Sequence, residues 1–176
     1  TDINKETWSD TARIISVNGA TSEILASFGL EKQLVGVDVA STFPASLAAL
    51  PRVGHSRQMA AEGILKLQPN VVIGTTKDLK PELAEQLKGA GVTLLLFDQE
   101  FTPEGTKNLI RQMADSLDKK AKGDSILSAL EQDLASVQKQ AEGHVKPKVL
   151  FIYARGTGTM MVAGQETSVD QIIQLA

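Results

Sequence analysis

Val71-Val72-Ile73-Gly74, Pro81-Glu82-Leu83-Ala84-Glu85-Gln86-Leu87-Lys88-Gly89 and Thr93-Leu94-Leu95-Leu96-Phe97 follow one another closely along the chain. The first and last are short apolar runs without alternation, the pattern of strands covered on both faces. The middle run is helix-compatible: Pro81 suits a first helical turn, where a missing N–H costs nothing, and Gly89-Ala90-Gly91 breaks it. Strand, helix and strand in that order predict two parallel strands joined by a right-handed crossover.

The same rhythm extends towards the N-terminus. Arg13-Ile14-Ile15-Ser16-Val17 and Leu34-Val35-Gly36-Val37-Asp38 read as two further strands. Asn18-Gly19-Ala20-Thr21-Ser22 reads as a turn with several potential N-caps, followed by a helix over residues 23–28 that Gly29 stops. Another helical stretch covers residues 60–67. Residues 1–102 are therefore expected to form an N-terminal α/β lobe around a parallel sheet. Its polar lead-in, residues 1–10, lacks the charged and apolar regions of a signal peptide, so either none existed or it has been removed.

Residues 103–146 differ in composition, being rich in Ala, Leu, Lys, Gln and Glu, with an apolar stripe through Leu109, Ile110, Met113, Leu117, Ile126, Leu127, Leu130, Leu134 and Val137. They predict a long connecting helix with a break or kink at Gly123-Asp124. A helical hairpin packed on one domain is the alternative. Residues 147–176 resume the α/β rhythm, with strands at Val149-Leu150-Phe151-Ile152-Tyr153 and Met160-Met161-Val162-Ala163 and a helix over 169–175. Two strands and one helix cannot enclose a core, so this region reads as the start of a truncated second α/β lobe. An unpaired strand edge at 149–153 invites pairing, and a domain-swapped dimer is one way to supply it.

Composition narrows the function. Lys and Arg number 18 against 21 Asp and Glu, a net charge of −3, so no basic excess points to nucleic acid or to an anionic membrane surface. No segment approaches the roughly 18 apolar residues of a membrane span, so no stable membrane insertion is expected. Aromatics are few and cysteine is absent, which excludes disulfides, thiolate metal sites and a cysteine nucleophile. No nucleophile elbow or pair of catalytic carboxylates stands out, and Gly156-Thr157-Gly158-Thr159 lacks the pattern of a phosphate loop. The chain does not read as an enzyme.

One run carries the candidate chemistry: Leu50-Pro51-Arg52-Val53-Gly54-His55-Ser56-Arg57-Gln58-Met59, followed by Ala60-Ala61-Glu62-Gly63-Ile64-Leu65. Gly54 permits a tight bend, and the helix-compatible residues beyond it fix the far end of the loop. His55 and His144 are the only histidines, so a protein-only zinc site lacks donors. Haem differs, because its porphyrin supplies four nitrogens and one or two axial protein ligands suffice. His55 is accordingly read as a haem iron ligand, although a lone loop histidine is more ordinarily a surface residue. Arg57 suits a haem propionate, since guanidinium binds carboxylate through paired hydrogen bonds; its plainer reading is a solvated charge or an ion pair with Glu62.

Weaker candidates surround these two. The turn with Thr21 and Ser22 offers amides to an anion, or simply caps a helix. Met59 reads as packing or as a pocket residue. Tyr153 and Arg155 follow a strand, where cleft-facing residues sit in α/β folds, or they stay with their own lobe. Glu82 either stabilises a helix start or presents a docking charge. His144, before Val145-Lys146-Pro147, reads as solvent-exposed.

Taken together, Arg13–Val17 with Thr21-Ser22-Glu23-Ile24, Val35-Gly36-Val37-Asp38 with Ser41-Thr42-Phe43-Pro44, the Leu50–Met59 run, Leu67-Gln68-Pro69-Asn70-Val71-Val72-Ile73, and Val162-Ala163-Gly164 with Thr167-Ser168 resemble the periplasmic haem-binding proteins of bacterial ABC haem importers, within the cluster that also binds siderophores and vitamin B12. The resemblance runs over essentially the whole chain. It implies two α/β lobes joined by a long helix, haem held between them as transported ligand, an ABC transporter permease as partner, and a periplasmic location. It also implies a propionate contact for Arg57, a second-lobe contact near Tyr153 and Arg155, and a permease-docking role for Glu82. The family pattern usually has tyrosine where this chain has His55, which exchanges an anionic ligand for a neutral one. A ferric siderophore or cobalamin is the alternative cargo for the same fold.

Overall fold

The structure, a computed structural model, describes residues 11–55, 58–145, 147–165 and 167–175. Four strands, β1 (Ile14–Ser16), β2 (Leu34–Val37), β3 (Val71–Thr75) and β4 (Thr93–Phe97), form one parallel sheet in the order β2-β1-β3-β4. The helices that connect them are α1 (Gly19–Ser27), α2 (Ala61–Leu65) and α3 (Pro81–Gly89). The expected parallel α/β lobe is therefore present, with strand and helix limits displaced by only a few residues.

The lack of alternation in the strands has its cause in the packing. Because successive side chains point to opposite faces, Ile14, Val71, Ile73, Leu95 and Phe97 join one buried cluster while Ile15, Val17 and Val72 join another. The first cluster is completed by Ile24, Leu25 and Phe28 at α1 and by Leu109, Ile110, Met113 and Leu127 from beyond β4; the second by Ile64 of α2 and by Leu83 and Leu87 of α3. Helices thus cover both faces, and every residue of β3 is buried.

The connecting helix of residues 103–146 is two helices, α4 (Pro103–Ser116) and α5 (Lys120–Ala141). The chain turns at Leu117–Lys119, where Asp118 takes a left-handed conformation (φ 54°) that Asp tolerates better than most residues. The Lys119 amide donates to the Ala114 carbonyl (2.8 Å) and buried Leu117 anchors the corner. Gly123, expected to mark the break, instead lies inside α5. A Cβ there would sit 2.6 Å from the Ala114 Cβ, so the glycine permits close packing of α4 on α5. Lys107 of α4 adds ion pairs to Glu104 (2.8 Å) and, across the helix pair, to Glu131 (3.3 Å).

Beyond α5 the chain forms β5 (Ile152–Arg155), β6 (Thr159–Val162) and α6 (Ser168–Leu175). The strand expected to lack a partner has one: β5 pairs antiparallel with β6, Tyr153 opposite Met161, around a turn in which Gly156 adopts φ 64°. The hairpin pairs one edge of β5, and among the described residues its other edge has no strand beside it. Gly156, Thr157 and Gly158 form the hairpin connection, and Thr159 begins β6.

Candidate functional site

In a parallel sheet, the loops leaving the carboxyl ends of the strands gather on one side, and ligands bind where neighbouring connections leave for opposite faces. Here that place lies between β1 and β3: α1, after β1, covers one face, and α3, after β3, covers the other. The residues at this point touch. Asn18 Nδ2 donates to Asp78 Oδ1 (3.3 Å) and to Gln99 Oε1 (3.5 Å), and Asp78 also accepts from the Thr75 amide. The helices α1, α3 and α4 all begin on this side, so their positive ends face it and favour a ligand bearing carboxylates.

The His55 loop is laid on the same side by a segment acting as an additional edge to the sheet. Arg52 bridges in parallel to Val37, next to the end of β2. The Val37 amide donates to the Pro51 carbonyl (3.0 Å), the Val53 amide to the Val37 carbonyl (3.0 Å) and the Val39 amide to the Gly54 carbonyl (3.2 Å). Gly54 then turns with φ 104°, a conformation that side chains disfavour, and the Gln58 amide closes the bend on the His55 carbonyl (2.7 Å). Met59 follows, half-buried against the α2–α3 face. His55 itself is exposed. Arg57 lies outside the described residues.

Thr21 and Ser22, read as pocket residues, face inward. Both are fully buried, and their hydroxyls belong to an internal chain: Thr21 Oγ1 with Ser16 Oγ (2.8 Å), Ser22 Oγ to Ser16 Oγ (2.8 Å), Ser22 Oγ with Ser41 Oγ (2.6 Å), and Ser41 Oγ to Asp38 Oδ1. The backbone amides of the turn are also engaged. Asn18 Oδ1 accepts from Ala20 (2.9 Å) and Thr21 (3.4 Å), and the Asn18 carbonyl accepts from the Ser22 amide (3.0 Å). A buried hydroxyl without a partner is costly, so these short polar side chains bond one another. The turn caps a helix.

The remaining candidates are spread more widely. Glu82 is exposed in the first turn of α3, on the carboxyl side of the sheet with His55. Tyr153 sits half-exposed in the β5–β6 hairpin, on a different sheet from the His55 segment. Arg155 ends β5, and its side chain lies outside the described residues. His144 is exposed beyond α5.

Sequence reasoning did not single out Arg52, Asp38, Ser41, Asp78 or Gln99. The Asp38-x-x-Ser41 spacing is a detectable signal for a side-chain-closed turn. Arg52 carried none, because its partners are carbonyls of residues up to 14 positions away. Among the described residues no group of three His, Asp or Glu side chains could hold a metal ion. No helix among them is long and apolar enough to cross a membrane.

Similarity to known proteins agrees with this geometry. Residues 14–176 match the family described as periplasmic binding protein. The periplasmic heme-binding protein RhuT from Roseiflexus sp. RS-1, in apo form, superposes with a TM-score of 0.87 at 35% identity, covering 94% of this chain and 64% of that one. The periplasmic heme-binding protein HutB of Vibrio cholerae gives 0.81 at 34% identity, over 94% of this chain and 63% of that one. A vitamin B12-binding protein of Vibrio parahaemolyticus is 27% identical over 80% of this chain and 50% of its own length. The chain spans about half the length of the curated relatives it matches. A parallel sheet with its loops gathered at one end, and a family match over nearly every residue, lead to one conclusion: the chain belongs to the periplasmic binding protein family.

Proposed function

We propose that the chain is the haem-holding part of a periplasmic carrier that delivers haem to the permease of an ABC importer, binding its cargo without transforming it. The observation that carries this reading is the His55 loop, zipped to the sheet edge and presenting an exposed imidazole on the carboxyl side. Neutral imidazole is a good ligand for haem iron near neutral pH. Haem binding by two proteins more than 30% identical to this chain supports the cargo.

In this reading His55 takes the iron and Arg57 a propionate, with Tyr153 and Arg155 approaching from the β5–β6 side. Met59 supports the loop from beneath. Thr21 and Ser22 support the site only through the interior, since their hydroxyls are spent there. Glu82, exposed at the same end of the sheet, is the docking charge for the permease. The test is a haemin titration followed at the Soret band. His55→Ala should shift the band and weaken binding by at least about tenfold, the scale on which even partners of a metal ligand count. An unchanged spectrum in that variant would remove His55 as the ligand.

Cobalamin is the second reading, favoured by the vitamin B12-binding relatives, with a ferric siderophore as a further cargo for the fold. Competition against bound haemin separates them. Displacement by stoichiometric cobalamin or siderophore would transfer the cargo assignment.

A further inference from the structure

We propose that Arg52 is a positioning residue for the ligand loop, tying the segment that carries His55 to the turn at Asp38–Ser41. This rests on the reading of His55 as haem ligand and adds how its imidazole is aimed.

The guanidinium reaches across to three carbonyls of the neighbouring loop. Nη1 donates to Asp38 O (3.0 Å) and Ser41 O (2.7 Å), and Nη2 to Leu47 O (3.3 Å). Among the described residues it forms no ion pair with a carboxylate, and the side chain is partly open to water, so its hydrogen bonds within the protein go to backbone carbonyls. The nearby Asp38 carboxylate is engaged otherwise, accepting from Ser41 Oγ and from the Ala40 amide (3.1 Å). An arginine placed to collect a ligand's carboxylate would keep its fork open; this one spends it on the fold.

The acceptors are themselves fixed. Asp38 and Ser41 are buried, and Ser41 Oγ continues through Ser22 and Ser16 to Thr21, so the turn is anchored to β1 and α1. A rigid path therefore runs from the sheet interior through the turn and the Arg52 side chain to a backbone position three residues before His55. On the other flank, the Val53–Val37 and Val39–Gly54 bonds hold the segment to β2. Gly54 follows at φ 104° with no side chain to restrain it, so the aim of the next residue depends on how firmly the stem is held. Lysine cannot replace this contact fully, because a single ammonium lacks the planar fork that reaches separate acceptors.

The test is a double-mutant cycle with an additional measurement on the ligand-free protein. Arg52→Ala should weaken haemin binding about tenfold and alter the Soret band, the usual scale for a residue that orients a metal ligand. Arg52→Lys should recover part of both. In a His55→Ala background, removing Arg52 should cost nothing further, because its effect passes through the imidazole. Without haemin, the Val53 and Gln58 amides of Arg52→Ala should exchange hydrogen faster while β3 stays protected. Fully additive losses would make Arg52 an independent haem contact and overturn the proposal, as would unchanged exchange at both amides. If the wild-type chain takes up no haemin, or His55→Ala leaves the spectrum unchanged, the haem reading fails instead. The exchange measurement then decides by itself whether Arg52 holds the loop.

Discussion

The four-stranded sheet and the β5–β6 hairpin are built from similarly apolar residues, yet one is enclosed and the other lies open. Val71, Val72 and Ile73 of β3 are wholly buried between helices, whereas Met160, Met161 and Val162 of β6 are 73%, 54% and 59% exposed. Side-chain character alone does not decide burial; a strand is buried by what is laid over it. In the sheet, each connection returns a helix to one face or the other. In the hairpin, the connection is a tight turn that covers nothing.

The largest expected effect tests that contrast directly. Ile73→Ala leaves a cavity between covered faces and should cost about 2–5 kcal/mol of stability, whereas Met161→Ala should stay within about 0.5 kcal/mol. Urea unfolding midpoints measure both, and equal losses would mean that the hairpin is packed in solution.

Binding gives the next contrast. His55→Ala should lose at least about tenfold in haemin affinity, equivalent to about 1.4 kcal/mol, while Tyr153→Phe should lose clearly less. A larger loss at Tyr153 would move the principal contact to the hairpin.

The α4–α5 junction should respond at a similar or smaller scale. Gly123→Ala gains helix propensity worth about 1 kcal/mol but forces a methyl towards the Ala114 Cβ, which cannot rotate away. Overpacking costs about 1–3 kcal/mol, so a net destabilisation of about 1 kcal/mol is expected. A rise in melting temperature would show that the helix pair separates easily.

The smallest effect belongs to the Lys107 cluster. Its hydrogen bond and charge hold Glu104 below the ordinary 4.5. The stabilisation is therefore present above that value and fades as pH falls through the lower folded one. Lys107 is raised above 10.5 by hydrogen bonds to Glu104 and Glu131, so its share is complete below 10.5 and fades as pH rises through the higher folded value. Exposure of Glu104 to water and salt keeps the effect small. Lys107→Met should flatten the acid limb of stability against pH slightly, as read from melting temperatures. A steep acid limb surviving in this variant would assign the dependence to other carboxylates.

Much of the fold is legible without coordinates, and the reason differs by element. Apolar runs mark β1 to β4 because strands covered twice need no polar face, and Pro81 and Gly29 mark helix ends through backbone geometry alone. Gly123 misleads because one glycine serves either a break or a close approach, and only the position of Ala114 distinguishes them. Thr21 and Ser22 mislead similarly: a hydroxyl at a helix start suits an anion or an interior, and the partners Ser16 and Ser41 are contributed by β1 and by the loop after β2.

For this protein the amino-acid sequence by itself determines the alternation of strand and helix, the bend at Gly54 and the presence of a lone imidazole beside it, because each depends on residues adjacent in the chain. Tertiary structure alone decides that the segment before His55 lies along β2, that Arg52 grips the loop at residues 38–47, and that α4 and α5 fold back on one another. Those outcomes depend on hydrogen bonds and contacts between residues distant along the chain, whose energies act only once the sheet has brought the partners together.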